Sequence, residues 1–340
     1  MSKPEFKIAV VGATGLVGRE LLQLLAARRF PVAEARFYAS LNSAGDEVEF
    51  RGEEFDVEAV SGEFYQGLDI IFFAAHHLVS RDLAEQAAGS GAVVIDSSRT
   101  FRLAPDVALC VPEINPGVLA GVRQGKRMVA SPSPATVALA LVLAPLNQRF
   151  GIRRVSAATL HGSATAGRAS FEEHQFQTIN IFNQEALSIE RFPRQSAFNI
   201  FPRVGQFDEG GMSEAEADVV RELPRVLGAE FPVAVTAAQV PIFCGIAAAV
   251  DIAFDNEADA EEVKLALAGA AGVKLMDDSG EETYPDTLLA MEHDEILVGR
   301  IRPGAGDAKS VQLWISADNL RKGGALNMVQ IAEEIIKDWP

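Results

Sequence analysis

Few side chains in this 340-residue sequence have the type and spacing to do chemistry, and the first set is a glycine series. Gly12-Ala13-Thr14-Gly15-Leu16-Val17-Gly18 follows directly on the apolar run Ile8-Ala9-Val10-Val11 and precedes a stretch with Leu21, Leu22, Leu24 and Leu25. Glycines at a strand-to-helix turn let backbone N–H groups approach a phosphate, and the helix N-terminus adds favourable partial charge. The spacing is G-x-x-G-x-x-G, which meets the generic G-x-G-x-x-G fingerprint only loosely. A turn that merely packs helix on strand is the competing reading. His76-His77 suggests a metal by residue type, but adjacent side chains point different ways and no spaced acid or third histidine accompanies them. No metal site is expected. Of the two cysteines, Cys110 lies in the apolar run Val107 to Val111 and reads as core strand, while Cys244 is far away in sequence. Glu172-Glu173-His174 reads as a solvated helix face, and the acidic stretch Glu257 to Glu262 as a favourable helix N-terminus.

The elements that would position these groups follow an α/β pattern. Glu34 to Ala39 reads as a second strand, Leu68 to Ala74 as another, Asp82 to Gly89 as a helix and Ala92 to Asp96 as a further strand. Such alternation predicts a parallel sheet with helices on both faces and a ligand over the carboxyl ends of its strands. Ser40 ends the second strand, where an acid would grip a ribose diol, and Leu41 to Asp46 holds no cation for a 2′-phosphate. The sequence therefore prefers neither NAD nor NADP, and Ser40 and Ser43 are the side chains available there.

Bulk properties exclude several classes. The formal charge of -17 repels the phosphate backbone of a nucleic acid, and no Lys/Arg block overrides it. The chain opens Met-Ser-Lys-Pro-Glu-Phe and runs into an apolar strand, without the features of a signal peptide. The most apolar run, Thr136 to Leu146, is interrupted by Pro145 and too short to span a bilayer. Two distant cysteines suit a reducing compartment, so the expected location is cytoplasmic, with no membrane partner.

Several segments together resemble one family. Val10 to Gly18, Arg29-Phe30-Pro31-Val32, Ser43-Ala44-Gly45, Val94 to Ser98 with Phe101-Arg102, and Val111 to Asn115 occur in that order in aspartate-β-semialdehyde dehydrogenases. So do Phe198 to Pro202, Val298 to Arg302 and Trp314 to Gly323, and Asn327 with Val329-Gln330-Ile331-Ala332 close the series. The resemblance spans essentially the whole chain. It implies a Rossmann-like dinucleotide-binding domain, residues 1–133 with a returning helix 320–340, and an α+β catalytic and dimerisation domain, residues 134–319. It further implies NAD or NADP as cofactor, a homodimer, and nucleotide contacts from Gly12, Thr14, Gly15, Leu16, Val17, Ser40, Ser43 and Gln330. The last helix, with Leu326, Val329, Ala332, Ile335 and Ile336 at helical spacing, should dock by an apolar face.

The resemblance also shows where this chain departs. The family's cysteine nucleophile, in Asn-Pro-x-Cys-x-Thr, aligns with Pro134, with Ser133 as the expected N-cap. Its orienting glutamine aligns with His161, its substrate arginine with Gln239, its acid/base histidine with Ile246, and its Glu-x-x-Lys pair with Ala215 and Asp218. Only Arg102 of that set is kept. The pattern is similar to the Usg-type paralogue, a homologue without the nucleophile, and implies loss of the family activity. A replacement nucleophile at Ser131 or Ser133 has no evident base. The rival reading keeps an oxidoreductase of altered chemistry: on a strand, Ile242, Cys244 and Ile246 share one face, so Cys244 would enter the site that His161 also reaches.

Overall fold

A computed structural model describes residues 5–278, 280–291, 293–304, 307 and 309–339, and divides the chain into two compact units. Met1 to Pro4, part of the segment read as lacking a leader, lie outside the described residues. One unit comprises Met1–Ser133 with Gly324–Pro340, and the other Pro134–Gly323. The chain re-enters the first unit at Gly324, so Leu320, where the sequence placed the return, belongs to the second.

The first unit is built on an all-parallel sheet of β1 (Phe6–Val11), β2 (Val32–Ala39), β3 (Glu58–Ala59), β4 (Ile70–Phe73), β5 (Val93–Asp96), β6 (Ala108–Leu109) and β7 (Met128–Ala130). Their spatial order is β3-β2-β1-β4-β5-β7-β6. Strand β4 reads as an unbroken apolar run, and β1 and β5 depart from one only at Lys7 and Asp96, because both faces are covered. Two helices leave the carboxyl ends of β1 and β4: α1 (Leu16–Ala27) and α2 (His77–Gly89). Helix α2 starts before Asp82 because His76 accepts the Leu78 N–H at its Nδ1 and so caps it. Cys110 is fully buried, although the strand there covers only Ala108–Leu109. The carboxy-terminal helix Leu326–Ile336 buries Leu326, Val329, Ala332 and Ile335 in the same core, and Arg28 pairs with Glu333 at 2.7 Å across it and α1.

The second unit carries a mixed sheet of β8 (Ile152–His161), β9 (Val233–Gln239), β10 (Ile246–Phe254), β11 (Val273–Leu275), β12 (Ile296–Pro303) and β13 (Ser310–Ala317), ordered β9-β8-β10-β13-β12-β11. Helices α3 (Pro134–Phe150), α4 (Arg168–Asn183), α5 (Glu214–Leu227) and α6 (Ala260–Leu267) accompany it. Alternation along β8 separates buried Val155, Ala157, Thr159 and His161 from the more open Ser156, Ala158 and Leu160. Leu160 from that open face, with Ala247, Arg300 and Trp314 from other strands of the sheet, lines a mainly apolar cavity of about 520 Å³. Among the described residues no helix is long and apolar enough to cross a membrane, and no group of three His, Cys, Asp or Glu could hold a metal.

Candidate functional site

The glycine turn closes over the end of β4. Gly12 has φ +92°, and a Cβ there would lie 2.5 Å from the Ala74 carbonyl oxygen. A Cβ on Gly18 would lie 2.1 Å from the Gly12 oxygen. Both positions therefore demand glycine: the first for conformation and approach, the second for helix-on-turn packing. Gly15 is the N-cap of α1 and supplies no side chain to the first-turn N–H groups, which leaves them available to an anion. Leu16 and Val17 are half-buried in that first turn, Thr14 is buried beneath it, and Arg19 Nε donates to the Thr14 oxygen at 3.2 Å. Ser40 and Ser43 lie beyond the end of β2, on a short 3-10 turn, with Ser40 exposed. Gln330 directs its amide to Glu113 at 2.8 Å. This arrangement fits a dinucleotide pyrophosphate. Gly12→Ala is expected to cost about 1–3 kcal/mol through strain at positive φ and to weaken NAD binding at least tenfold by calorimetry, because the turn must move to admit the methyl.

Arg102 is buried and already engaged, Nη2 donating to the Ser97 oxygen at 2.7 Å and Nε to the Ser131 oxygen at 3.1 Å. Next to it, Asp96 accepts from the Ser80 hydroxyl at 2.8 Å and from both the Ser98 N–H and hydroxyl, and its burial raises its pKa. Ser131 is fully buried and accepts the Asn327 amide at 2.8 Å. An amide donor cannot take a proton, so that contact does not activate the hydroxyl.

In the second unit Pro134 opens α3, where its fixed φ suits a first turn and no N–H is missed. A Cβ on Gly323 would come within 2.6 Å of Pro134 Cβ, so the Gly323 backbone packs directly on the ring. Three further positions meet in one row of the sheet: His161 at the end of β8 pairs with Gln239 on one side and Ile246 on the other. All three are buried. His161 Nε2 lies 2.9 Å from Thr159 Oγ1, while Nδ1 is buried without a hydrogen-bond partner. Burial drives its pKa down to about 4, although the nearby Glu216 carboxylate opposes this. Gln239 uses its amide on the His161 carbonyl at 2.8 Å, tying β9 to β8.

The Cys244–His161 pair does not form. Strand β10 begins at Ile246, after Gly245 at φ +98°, so residues 242–246 are not one strand and the shared-face argument fails. Burial, with Asp318 nearby, pushes the Cys244 thiol up to about 11, where it stays protonated and unreactive. The Glu172-Glu173-His174 reading also needs correcting: Glu172 is surface-paired with Arg168, but Glu173 and His174 are buried. Glu173 accepts the N–H groups of Glu190, Arg191 and Phe192 at 2.7–3.2 Å and shapes the loop after α4.

Glu216 was not singled out in the sequence, although Ser213 and Glu216 have capping-box spacing. Its carboxylate accepts the Ala237 N–H at 2.9 Å and the Ser213 N–H at 2.6 Å. Asn319, whose Oδ1 accepts the Gly245 N–H at 2.6 Å, and Asn327 carried no local signal of their partners.

Comparison with known proteins covers nearly the whole chain. Residues 7–122 match the family described as semialdehyde dehydrogenase, NAD binding domain, and residues 143–322 match semialdehyde dehydrogenase, dimerisation domain. The chain is 37% identical over 335 residues to the aspartate-semialdehyde dehydrogenase of Rickettsia bellii, covering 98% of this chain and 99% of that protein. It is 37% identical over 332 residues to the one from a Synechocystis strain, covering 97% of each. The crystal structure of aspartate semialdehyde dehydrogenase II from Vibrio cholerae superposes with a TM-score of 0.94 at 34% identity, covering 99% of this chain and 100% of that one.

Proposed function

We infer function from one premise: this chain belongs to the aspartate-semialdehyde dehydrogenase family. Its first unit is an NAD(P)-binding domain and its second a dimerisation domain. Within that family we propose a Usg-type homologue that binds a dinucleotide and dimerises but does not carry out the acyl chemistry. The observation that carries this reading is Pro134 at the start of α3, a residue with no nucleophilic atom at the position the alignment assigns to the thiol. Neighbouring replacements support it. Gln239 cannot offer the bidentate, charge-assisted grip of a guanidinium on a carboxylate. Ile246 moves no proton, and His161 with its depressed pKa is a weak base. Arg102 is the remnant of substrate binding. The reading is tested by titrating the purified protein with NAD and NADP in a calorimeter and assaying the same sample for NADPH formation from aspartate semialdehyde and phosphate. Binding without turnover is expected, and turnover would overturn the reading.

The dimer is proposed to form through the open face of the second sheet. Its support is the cavity lined by Leu160, Val240, Ile242, Ala247 and Trp314, apolar surface that a second copy would cover. Trp314→Glu puts a charge on that apolar surface and is expected to convert the dimer to monomer in sedimentation velocity. A dimer unchanged by that substitution would move the interface elsewhere.

A further inference from the structure

The cavity on the second sheet is lined by Arg300 and Asp286 as well as by Leu160, Ala247 and Trp314. Apolar surface alone would suffice for a subunit contact, so the two opposite charges need their own account. The volume of about 520 Å³ lies within the roughly 300–1,000 Å³ of small-molecule pockets, which pair apolar walls with a few placed polar groups. Leu160 is on the opposite face of β8 from His161, so the cavity uses none of the positions aligned with the acyl chemistry.

The backbone sets Arg300 in place. Gly299 lies opposite Trp314 and Arg302 opposite Gln312, so two residues of β12 face one of β13 and form a bulge. Within it Arg300 takes φ +57°, a conformation that non-glycine residues rarely adopt. The Asp277 carboxylate holds the bulge, accepting the Arg300 N–H at 2.8 Å and the Ile301 N–H at 3.2 Å. Bulges re-aim side chains, and strained backbone persists where its surroundings over-determine it. The segment leading to Asp286 packs on the same bulge, because a Cβ on Gly299 would lie 2.7 Å from Pro285 Cδ. Asp286 and Arg300 each follow directly, so Cα spacing keeps them neighbours.

The two charges are not spent on each other. No ion pair joins them among the described residues, and the Arg300 guanidinium has no hydrogen-bond partner there. Asp286 uses one oxygen to cap the short helix Thr287–Ala290, accepting the Leu289 N–H at 2.9 Å, and its other oxygen accepts no bond among the described residues. Both residues are exposed. The cavity thus offers a planar guanidinium, a carboxylate and an apolar wall with an indole in it.

We propose that this cavity binds a zwitterionic α-amino acid with an apolar side chain. The carboxylate lies on Arg300, where a guanidinium makes paired charge-assisted hydrogen bonds. The ammonium lies on the spare oxygen of Asp286, and the side chain is buried against Leu160, Ala247 and Trp314. A second copy laid over this face would close the mouth of the cavity. The site itself needs neither that copy nor the nucleotide-binding reading.

The experiment is calorimetric titration of the full chain with L-phenylalanine, with the same samples run in sedimentation velocity. Binding is expected, and 3-phenylpropanoate and 2-phenylethylamine, which each lack one of the two charges, should bind at least about tenfold more weakly. Arg300→Gln, which leaves the backbone demands unchanged, should weaken L-phenylalanine binding by about tenfold or more. Asp286→Asn, which keeps the helix cap, should weaken it about five- to tenfold. Circular dichroism verifies both folds. No binding at millimolar L-phenylalanine, equal affinity for the three compounds, or unchanged affinity in a folded variant overturns the proposal. Sedimentation separates it from the dimer reading: a monomer that binds keeps the site and removes the dimer, and a dimer that does not bind removes the site alone.

Discussion

Replacing Pro134 with cysteine is expected to leave the protein without aspartate-semialdehyde dehydrogenase activity. The wild-type chain should already lie on the order of 10⁶-fold below an intact family enzyme, the scale of losing a catalytic nucleophile. Returning the thiol returns only the first component. A thiol must be made a thiolate, and Ile246 occupies the aligned acid/base position. His161 titrates near 4 with its Nε2 against Thr159, so it attracts a proton weakly at neutral pH. An absent general acid/base alone withholds roughly 10²–10⁴-fold. On the proposed reading the substrate-gripping guanidinium is missing as well, since Gln239 stands at the aligned arginine position and spends its amide on the His161 carbonyl. The assay follows NADPH formation from aspartate semialdehyde and phosphate by Pro134→Cys, with the helix start verified by circular dichroism. Substantial turnover by this single variant would show that the other replaced positions do not limit the chemistry.

The second large effect concerns acid stability. His161 is displaced from its ordinary 6.5 to about 4 in the folded chain because burial disfavours the imidazolium. Below about pH 6.5 the unfolded chain takes up this proton and the folded chain does not, so stability falls as pH falls. The loss stops near pH 4, where the folded state also protonates. A displacement of this size corresponds to about 3 kcal/mol. Urea unfolding at about pH 7 and about pH 4 should therefore show a decline that His161→Gln reduces by roughly that amount. His174, also lowered by burial, adds to the decline in both proteins. Asp96 acts with the opposite sign, since its pKa is raised in the folded state. An identical decline in wild type and variant would assign the acid sensitivity to other groups.

Much of the architecture is readable where local pattern and burial agree. The apolar run before Gly12 becomes β1, and the helical spacing of Leu326, Val329, Ala332 and Ile335 becomes a buried face. Reading fails where a single backbone angle or a distant partner decides. Alternation from Ile242 to Ile246 looks like strand, but Gly245 at positive φ turns the chain and removes Cys244 from that face. Glu173 looks solvated because it is charged, yet it is buried by backbone donors 17–19 residues away that no helical periodicity reveals. Asn327 bridges the Cys110 oxygen and Ser131 across 217 and 196 residues, a separation invisible to any local window. The resemblance pointed to Gln239, His161 and Ile246 one at a time; that they lie side by side in one row is visible only in the strand register.

The most direct test of the central claim is intact-protein mass spectrometry after incubation with aspartate semialdehyde and oxidised NADP without phosphate, conditions in which an acyl-enzyme would accumulate. The wild-type chain is expected to keep its unmodified mass. An added acyl group, mapped to any side chain of the second unit, would contradict the account.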